Sequence, residues 1–242
     1  MTLPTYSQRH LDPAEAQAYS KKFKRSLMRR LSGRRETKLV EEAFLAGLAW
    51  LQAQDGQAAT TRTLLDSPCG AGRFAVLGAK RVAHYIASDH SPAMLELTRQ
   101  ALAKAKLEAR LEQTVEGDAR TLALPDQSVD IAFCIRLTHH FPERDDRIRI
   151  LSELRRVSRG PLITTYLDKA SSKQRRHVAK LQKQGKQTRR VLLNLNQWQS
   201  EAIETGWKIQ TSKPLSGFFS GLRIVLLTPT DLPVNEPRKR GR

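Results

Sequence analysis

The chain has 242 residues, 39% hydrophobic and 27% charged, with a formal net charge of +18. That length can bury a full core; two cysteines, Cys69 and Cys134, exclude a disulfide framework; and no run of about 18 apolar residues is present to cross a membrane. The charge is concentrated in two segments: 21–38 holds nine basic residues and one acid, and 169–190 holds nine basic residues and none. They leave a nearly neutral body, a pattern that suits a polyanion or an anionic surface. The first residues lack the basic-then-apolar order of a signal peptide, so a cytoplasmic protein is expected, with the inner membrane surface as a place of contact.

Asp12-Pro13 predicts a helix start, with Asp12 as cap and Pro13 at the first position. Tyr19, Phe23, Leu27 and Leu31 then recur every four residues as an apolar stripe, with lysines and arginines on the other faces. Ser32-Gly33 is expected to break this helix, and a second is expected over 36–52, closed by Asp55-Gly56. From Arg62 strands and helices alternate: strand 63–67, glycine turn, helix 73–80, strand 82–88, and a helix opened by Ser91-Pro92. Strands at 109–116, 129–137 and 161–166 follow, with a helix over 144–158. The basic segment interrupts the series; a helix over 196–205, capped by Gly206, and strands 207–211 and 222–227 complete it.

The expected fold is α/β: a Rossmann-like, seven-stranded, mostly parallel sheet with a C-terminal antiparallel hairpin and a helical N-terminal extension. The expected divisions are a basic helical extension or cap over 1–58, an α/β domain over 59–228 with a basic insertion at 168–195, and a disordered basic tail over 229–242.

The stretch Leu64-Leu65-Asp66-Ser67-Pro68-Cys69-Gly70-Ala71-Gly72-Arg73-Phe74 puts a glycine turn between a strand and a helix. Such a turn exposes amide N–H groups at a helix start, a cradle for a carboxylate or phosphate. Gly70 to Ala75 also fits the dinucleotide pattern G-x-G-x-x-A, with Asp89 spaced for a ribose. Three features favour a different ligand. Asp66 beside the turn would repel a pyrophosphate but would suit an ammonium. Gly117-Asp118 can receive a purine amino group. The series ends in a hairpin where a nicotinamide enzyme would continue its crossovers. A ligand with an amino-acid end and an adenosine end is S-adenosylmethionine.

With Ala87-Ser88-Asp89, Ser91-Pro92-Ala93-Met94-Leu95, Gly117-Asp118-Ala119, Leu124-Pro125 and Ser128 to Phe133, residues 60–228 resemble the class I S-adenosylmethionine-dependent methyltransferases. The family's turn reads D-x-G-x-G-x-G; here Pro68 replaces the first glycine. The resemblance implies S-adenosylmethionine as cofactor. Gly70 and Gly72 would offer amides to its methionine end, and Asp66 would serve its ammonium. Asp89 would accept both ribose hydroxyls, and Asp118 and Ala119 would bind adenine with Met94 on its face. Pro68, Arg73, His90 and Arg136 complete the cofactor set, and Cys69 reads as a small buried thiol.

Methyl transfer from a sulfonium is a direct displacement, governed by positioning. A hydroxyl acceptor needs a base, and His139 and His140, after the fourth strand, are the candidates. That stretch lacks the N/D-P-P-Y/F of base amino-group methylation, and no cluster has metal-ligand spacing. Arg29, Arg30, Arg34, Arg35, Arg175 and Arg176 are the candidate acceptor-binding residues. The acceptors that fit are a phosphorylated sugar or glycolipid such as lipopolysaccharide core, or another membrane head group. An RNA, or an acidic protein docked by a non-catalytic module, are the alternatives.

Overall fold

The computed structural model describes residues 12–22, 27–186, 188, 190–216 and 220–230. The N-terminal arm contains α1 (Pro13–Lys22) and α2 (Leu27–Asp55). The alternating series then runs β1 (Thr63–Asp66), α3 (Ala75–Ala79), β2 (His84–Asp89), α4 (Pro92–Lys104), β3 (Leu111–Glu116), β4 (Ile131–Cys134), α5 (Arg144–Val157) and β5 (Leu162–Leu167). It closes with α6 (Ser172–Lys183), α7 (Leu195–Glu204), β6 (Trp207–Ser216) and β7 (Ser220–Pro229). The seven strands lie in the order β3-β2-β1-β4-β5-β7-β6. β1 to β5 are parallel, and β7 runs antiparallel to both β5 and β6.

The two-residue period of a strand divides the core in two. Leu64, Ile131 and Phe133 join a cluster with Val40, Phe44, Leu48 and Leu51 of α2 and with Leu95 and Leu102 of α4. Leu65, Ala132 and Cys134 turn to the other face, against Ile150, Leu151 and Leu154 of α5 and Trp198 of α7. Both faces being covered explains why the central strands β1, β4 and β5 read as mostly apolar, buried runs.

The helix start at Asp12 is as the sequence predicts: Ala14 N–H donates to its Oδ1 at 2.8 Å. The break at Ser32-Gly33 is not. α2 continues through it for 29 residues. A helical glycine costs about 1 kcal/mol, and the apolar face from Val40 to Leu51, buried along the sheet, outweighs it. Leu31 of the expected stripe is 51% exposed; the side chains of Tyr19 and Leu27, with all of Phe23, lie outside the described residues, as does the tail from 231. The helix expected from Arg73 starts two residues later, because Arg73 and Phe74 are still in the turn. The two last strands are longer than their alternation suggests, since hairpin pairing extends them.

α2 lies antiparallel to β4. Glu36 reaches Arg136, just past the carboxyl end of β4, and Phe44 packs edge-on against Phe133 with ring centroids 4.9 Å apart. At its far end Asp55 pairs with Arg62, before the start of β1. The turns of α2 that precede Glu36 therefore extend beyond the carboxyl end of the sheet. The segment after β5 lies at that same end. Val191 N–H donates to the His139 carbonyl at 2.9 Å and Leu193 N–H to that of Leu167 at 3.0 Å. α6, whose Gln174 touches Gly221, has no buried residue.

Candidate cofactor cleft

Four strand ends build one cleft at the carboxyl edge of the parallel sheet. Ser67 and Pro68 follow β1, Asp89 and His90 close β2, Gly117, Asp118 and Ala119 follow β3, and Leu137 and Phe141 follow β4. Ligands of open parallel sheets bind at this edge.

The glycine loop is held from both sides. Cys69 N–H donates to the Ser88 carbonyl at 2.9 Å, and Thr98 Oγ1 of α4 donates to the Gly70 carbonyl at 2.9 Å. Gly70 and Gly72 have φ values of +54° and +70°, where a side chain is strained. Their surroundings differ. A Cβ on Gly70 would meet nothing within 4 Å, whereas one on Gly72 would lie 2.9 Å from the Thr98 Cα. Gly70 opens the loop, and Gly72 lets it pack on α4.

The expected cradle of free glycine amides is corrected here. Gly70 N–H donates to Asp89 Oδ2 at 2.9 Å, and Gly72 N–H donates to the Cys69 carbonyl at 3.2 Å. Both amides serve the loop itself, because a tight turn satisfies its own donors when buried.

Asp89 is 3% exposed and also accepts the Ser91 N–H at 3.0 Å, while His90 Nδ1 lies 3.2 Å from Oδ1. The helix cap is Ser91, whose Oγ accepts the Met94 N–H, so Asp89 stands at the cleft and is not the cap. Asp118 is gripped by Arg120, whose Nη2 approaches to 2.6 Å and whose backbone N–H donates at 2.8 Å. Partial burial works against its charge, but these bonds hold its carboxyl below the usual carboxylate range. Arg120 reaches on to Asp146 at 2.9 Å and lies over the Phe141 ring.

Asp66 is enclosed behind the loop, 1% exposed, and accepts the Tyr85 hydroxyl at 2.7 Å. Burial pushes its pKa up to about 7, against the Tyr85 hydrogen bond and with help from the Asp89 charge. Cys69 and Cys134 are buried free thiols; burial pushes Cys69 far above the usual thiol range and Cys134 up to about 12. Met94, 2% exposed on α4, is not among the cleft residues.

The two histidines stand in a 3-10 turn over Thr138–His140, and the flanking Leu137 and Phe141, not they, line the cleft. His139 is 3% exposed, and its Nδ1 has no hydrogen-bond partner among the described residues. Burial, followed by the charges of His140, Arg190 and Arg136, lowers its pKa well below the ordinary histidine value, so its ring is neutral. His140 is partly exposed beside it, with ring centroids 4.4 Å apart.

Arg136, expected in the cofactor set, is bound instead to a carboxylate of the chain. Its Nε and Nη2 each lie 2.7 Å from the oxygens of Glu36. Arg73 Nη2 lies 2.7 Å from the same carboxylate. Sequence reasoning passed over Glu36, although its being the lone acid in a run of nine bases was a signal. Arg30, Arg34, Arg35, Arg175 and Arg176 are exposed; the side chain of Arg29 lies outside the described residues. No cluster of metal-ligating side chains occurs among the described residues.

The donors fit S-adenosylmethionine. A carboxylate at the end of β2 suits a pair of vicinal hydroxyls, the 117–119 turn offers polar backbone, and Pro68, Leu137 and Phe141 supply apolar walls for a flat ring.

A family model described as a methyltransferase domain matches residues 64–160. No curated protein matches the chain in sequence. Among solved structures, magnesium protoporphyrin IX methyltransferase from Synechocystis PCC 6803 with bound S-adenosylmethionine superposes with a TM-score of 0.69 at 15% identity, covering 95% of this chain and 100% of that one. A methyltransferase from Aquifex aeolicus gives 0.60 at 18% identity, covering 90% and 99%. A Thermotoga maritima protein described as a possible histamine N-methyltransferase gives 0.56 at 18%, covering 91% and 99%. At these identities the likeness shows the fold, and the family match covers the four strand ends that build the cleft. Residues 64–160 therefore match a methyltransferase domain, and the chain shares the fold of S-adenosylmethionine-dependent methyltransferases.

Proposed function

We propose that the chain transfers the methyl group of S-adenosylmethionine to an anionic acceptor, a phosphorylated sugar or glycolipid such as lipopolysaccharide core. One observation carries this reading: both basic segments border the carboxyl end of the sheet, where the cleft opens. The arginines of the body are largely paired, as Arg62, Arg120, Arg147 and Arg156 are. Arg30, Arg34, Arg35, Arg175 and Arg176 face solvent and enter no ion pair among the described residues. A cationic rim around a cleft concentrates anions there.

The cofactor supplies an already activated methyl group, so the protein's part is alignment. In this reading Asp89 receives the ribose hydroxyls, and Asp118 with Ala119 meets the adenine. Leu137 and Phe141 wall the ring, and Asp66 braces the loop from behind through Tyr85. His140, partly exposed beside Phe141, is the better placed of the two candidate bases, since His139 is enclosed.

The test offers labelled S-adenosylmethionine with a phosphorylated core oligosaccharide, its dephosphorylated form, and RNA. Label in the phosphorylated sugar, lost on dephosphorylation and falling with salt, is expected. Label in RNA alone would replace this reading with an RNA methyltransferase. Cofactor binding with no labelled acceptor would favour a docking module.

A further inference from the structure

Glu36 is the one acid of the first basic segment and is 1% exposed. Its carboxylate joins elements far apart in sequence. Arg136, just after β4, reaches it through two donors at 2.7 Å; Arg73, next to the second loop glycine, reaches it at 2.7 Å. Arg73 also donates to the Gly33 carbonyl, 3.3 Å away and one turn earlier in α2. Arg136 has φ +64°, a conformation that costs a non-glycine residue about 1–2 kcal/mol. Its N–H is held by Thr165 Oγ1 at 2.7 Å and its guanidinium by Glu36. A strained residue persists only where its surroundings fix it, and such residues gather at functional sites.

Burial opposes a charge on Glu36, yet the hydrogen bonds and charges of Arg136 and Arg73 hold its carboxyl below the usual range. A buried acid among arginines adds little net stability over apolar packing. What it fixes is the relative placement of three elements that meet beside the glycine loop.

We propose that Glu36 is a positioning residue for cofactor binding: it ties the first turns of α2 to the glycine loop and to the end of β4, so that cofactor affinity depends on the basic arm. This rests on the cleft being the cofactor site.

Calorimetry of S-adenosylmethionine with the full-length wild type, Glu36→Gln and Glu36→Asp tests it, below the melting temperature of each. Glu36→Gln is expected to raise Kd at least about tenfold, and Glu36→Asp, which keeps the charge, to recover most of that. A merely structural role would lower the melting temperature and leave the Kd of the folded protein at the wild-type value, overturning the proposal. Hydrogen exchange on the wild type gives a second readout that needs no variant. Added S-adenosylmethionine is expected to slow exchange at residues 33–40 together with 70–75, and protection confined to the loop would overturn the proposal. Wild type that binds no S-adenosylmethionine would remove the cofactor site itself, a distinguishable result.

Discussion

Asp66 is the residue whose chemistry departs furthest from its type. Its folded pKa, raised to about 7 from the usual 3.8, means the folded chain holds a proton that the unfolded chain releases. Its contribution to stability is therefore full below about pH 4 and is lost as pH rises through 7. Asp66→Asn should gain stability relative to wild type as pH goes from 5 to 8, read as urea midpoints; an equal difference at both pH values would refute the enclosed carboxyl. Asp89→Ala removes the acceptor for the Gly70 and Ser91 amides as well as the carboxylate at the cleft. It should abolish measurable S-adenosylmethionine binding in calorimetry while circular dichroism still shows a folded chain. The two loop glycines should separate cleanly in thermal melts. Gly70→Ala meets only backbone strain, about 1 kcal/mol. Gly72→Ala adds a clash with the α4 backbone and should cost about 3 kcal/mol or more.

At the scale of elements, polar contacts settle how the helices dock. Arg147 of α5 and Glu201 of α7 are 4% and 2% exposed and meet at 2.6 and 3.0 Å. Glu201→Gln leaves an arginine charge buried without its partner and should cost about 3–5 kcal/mol in denaturant unfolding. The exposed pair of Lys213 and Glu42, between β6 and α2, should matter far less: Glu42→Gln should shift the same midpoint by under about 1 kcal/mol. Element order and most boundaries of the alternating series were legible, because the central strands are apolar runs and some helices carry a side-chain cap, as at Asp12, Ser91 and Asn194. The continuity of α2 was not legible. Ser32-Gly33 is a local stop signal, and the packing that overrides it lies along β5, β7 and β6. The loop amides were misread for a related reason. The glycines announce a turn, but the Asp89 carboxylate and the Cys69 carbonyl that occupy their N–H groups become neighbours only when the turn closes.

At the scale of the whole molecule, the proposed acceptor is argued from charge. The arginines proposed to meet the acceptor are exposed, so their pull on an anion should be screened by salt. Reversing Arg175 and Arg176 to glutamate should weaken binding of a phosphorylated acceptor several-fold at low salt and leave the S-adenosylmethionine Kd unchanged; equal binding by wild type and variant would remove α6 from the acceptor surface. The sequence by itself determined the order of the strands and of the helices between them apart from α6, the acids that end β1 and β2, and the two basic segments, because apolar period, caps and charge runs are local properties of a chain. Only the tertiary structure decided that both basic segments reach one edge of the sheet, that Asp66 is enclosed and protonates near neutrality, and that Glu36 lies between Arg73 and Arg136. Burial and the meeting of residues tens of positions apart are products of packing, and no short stretch of chain contains them.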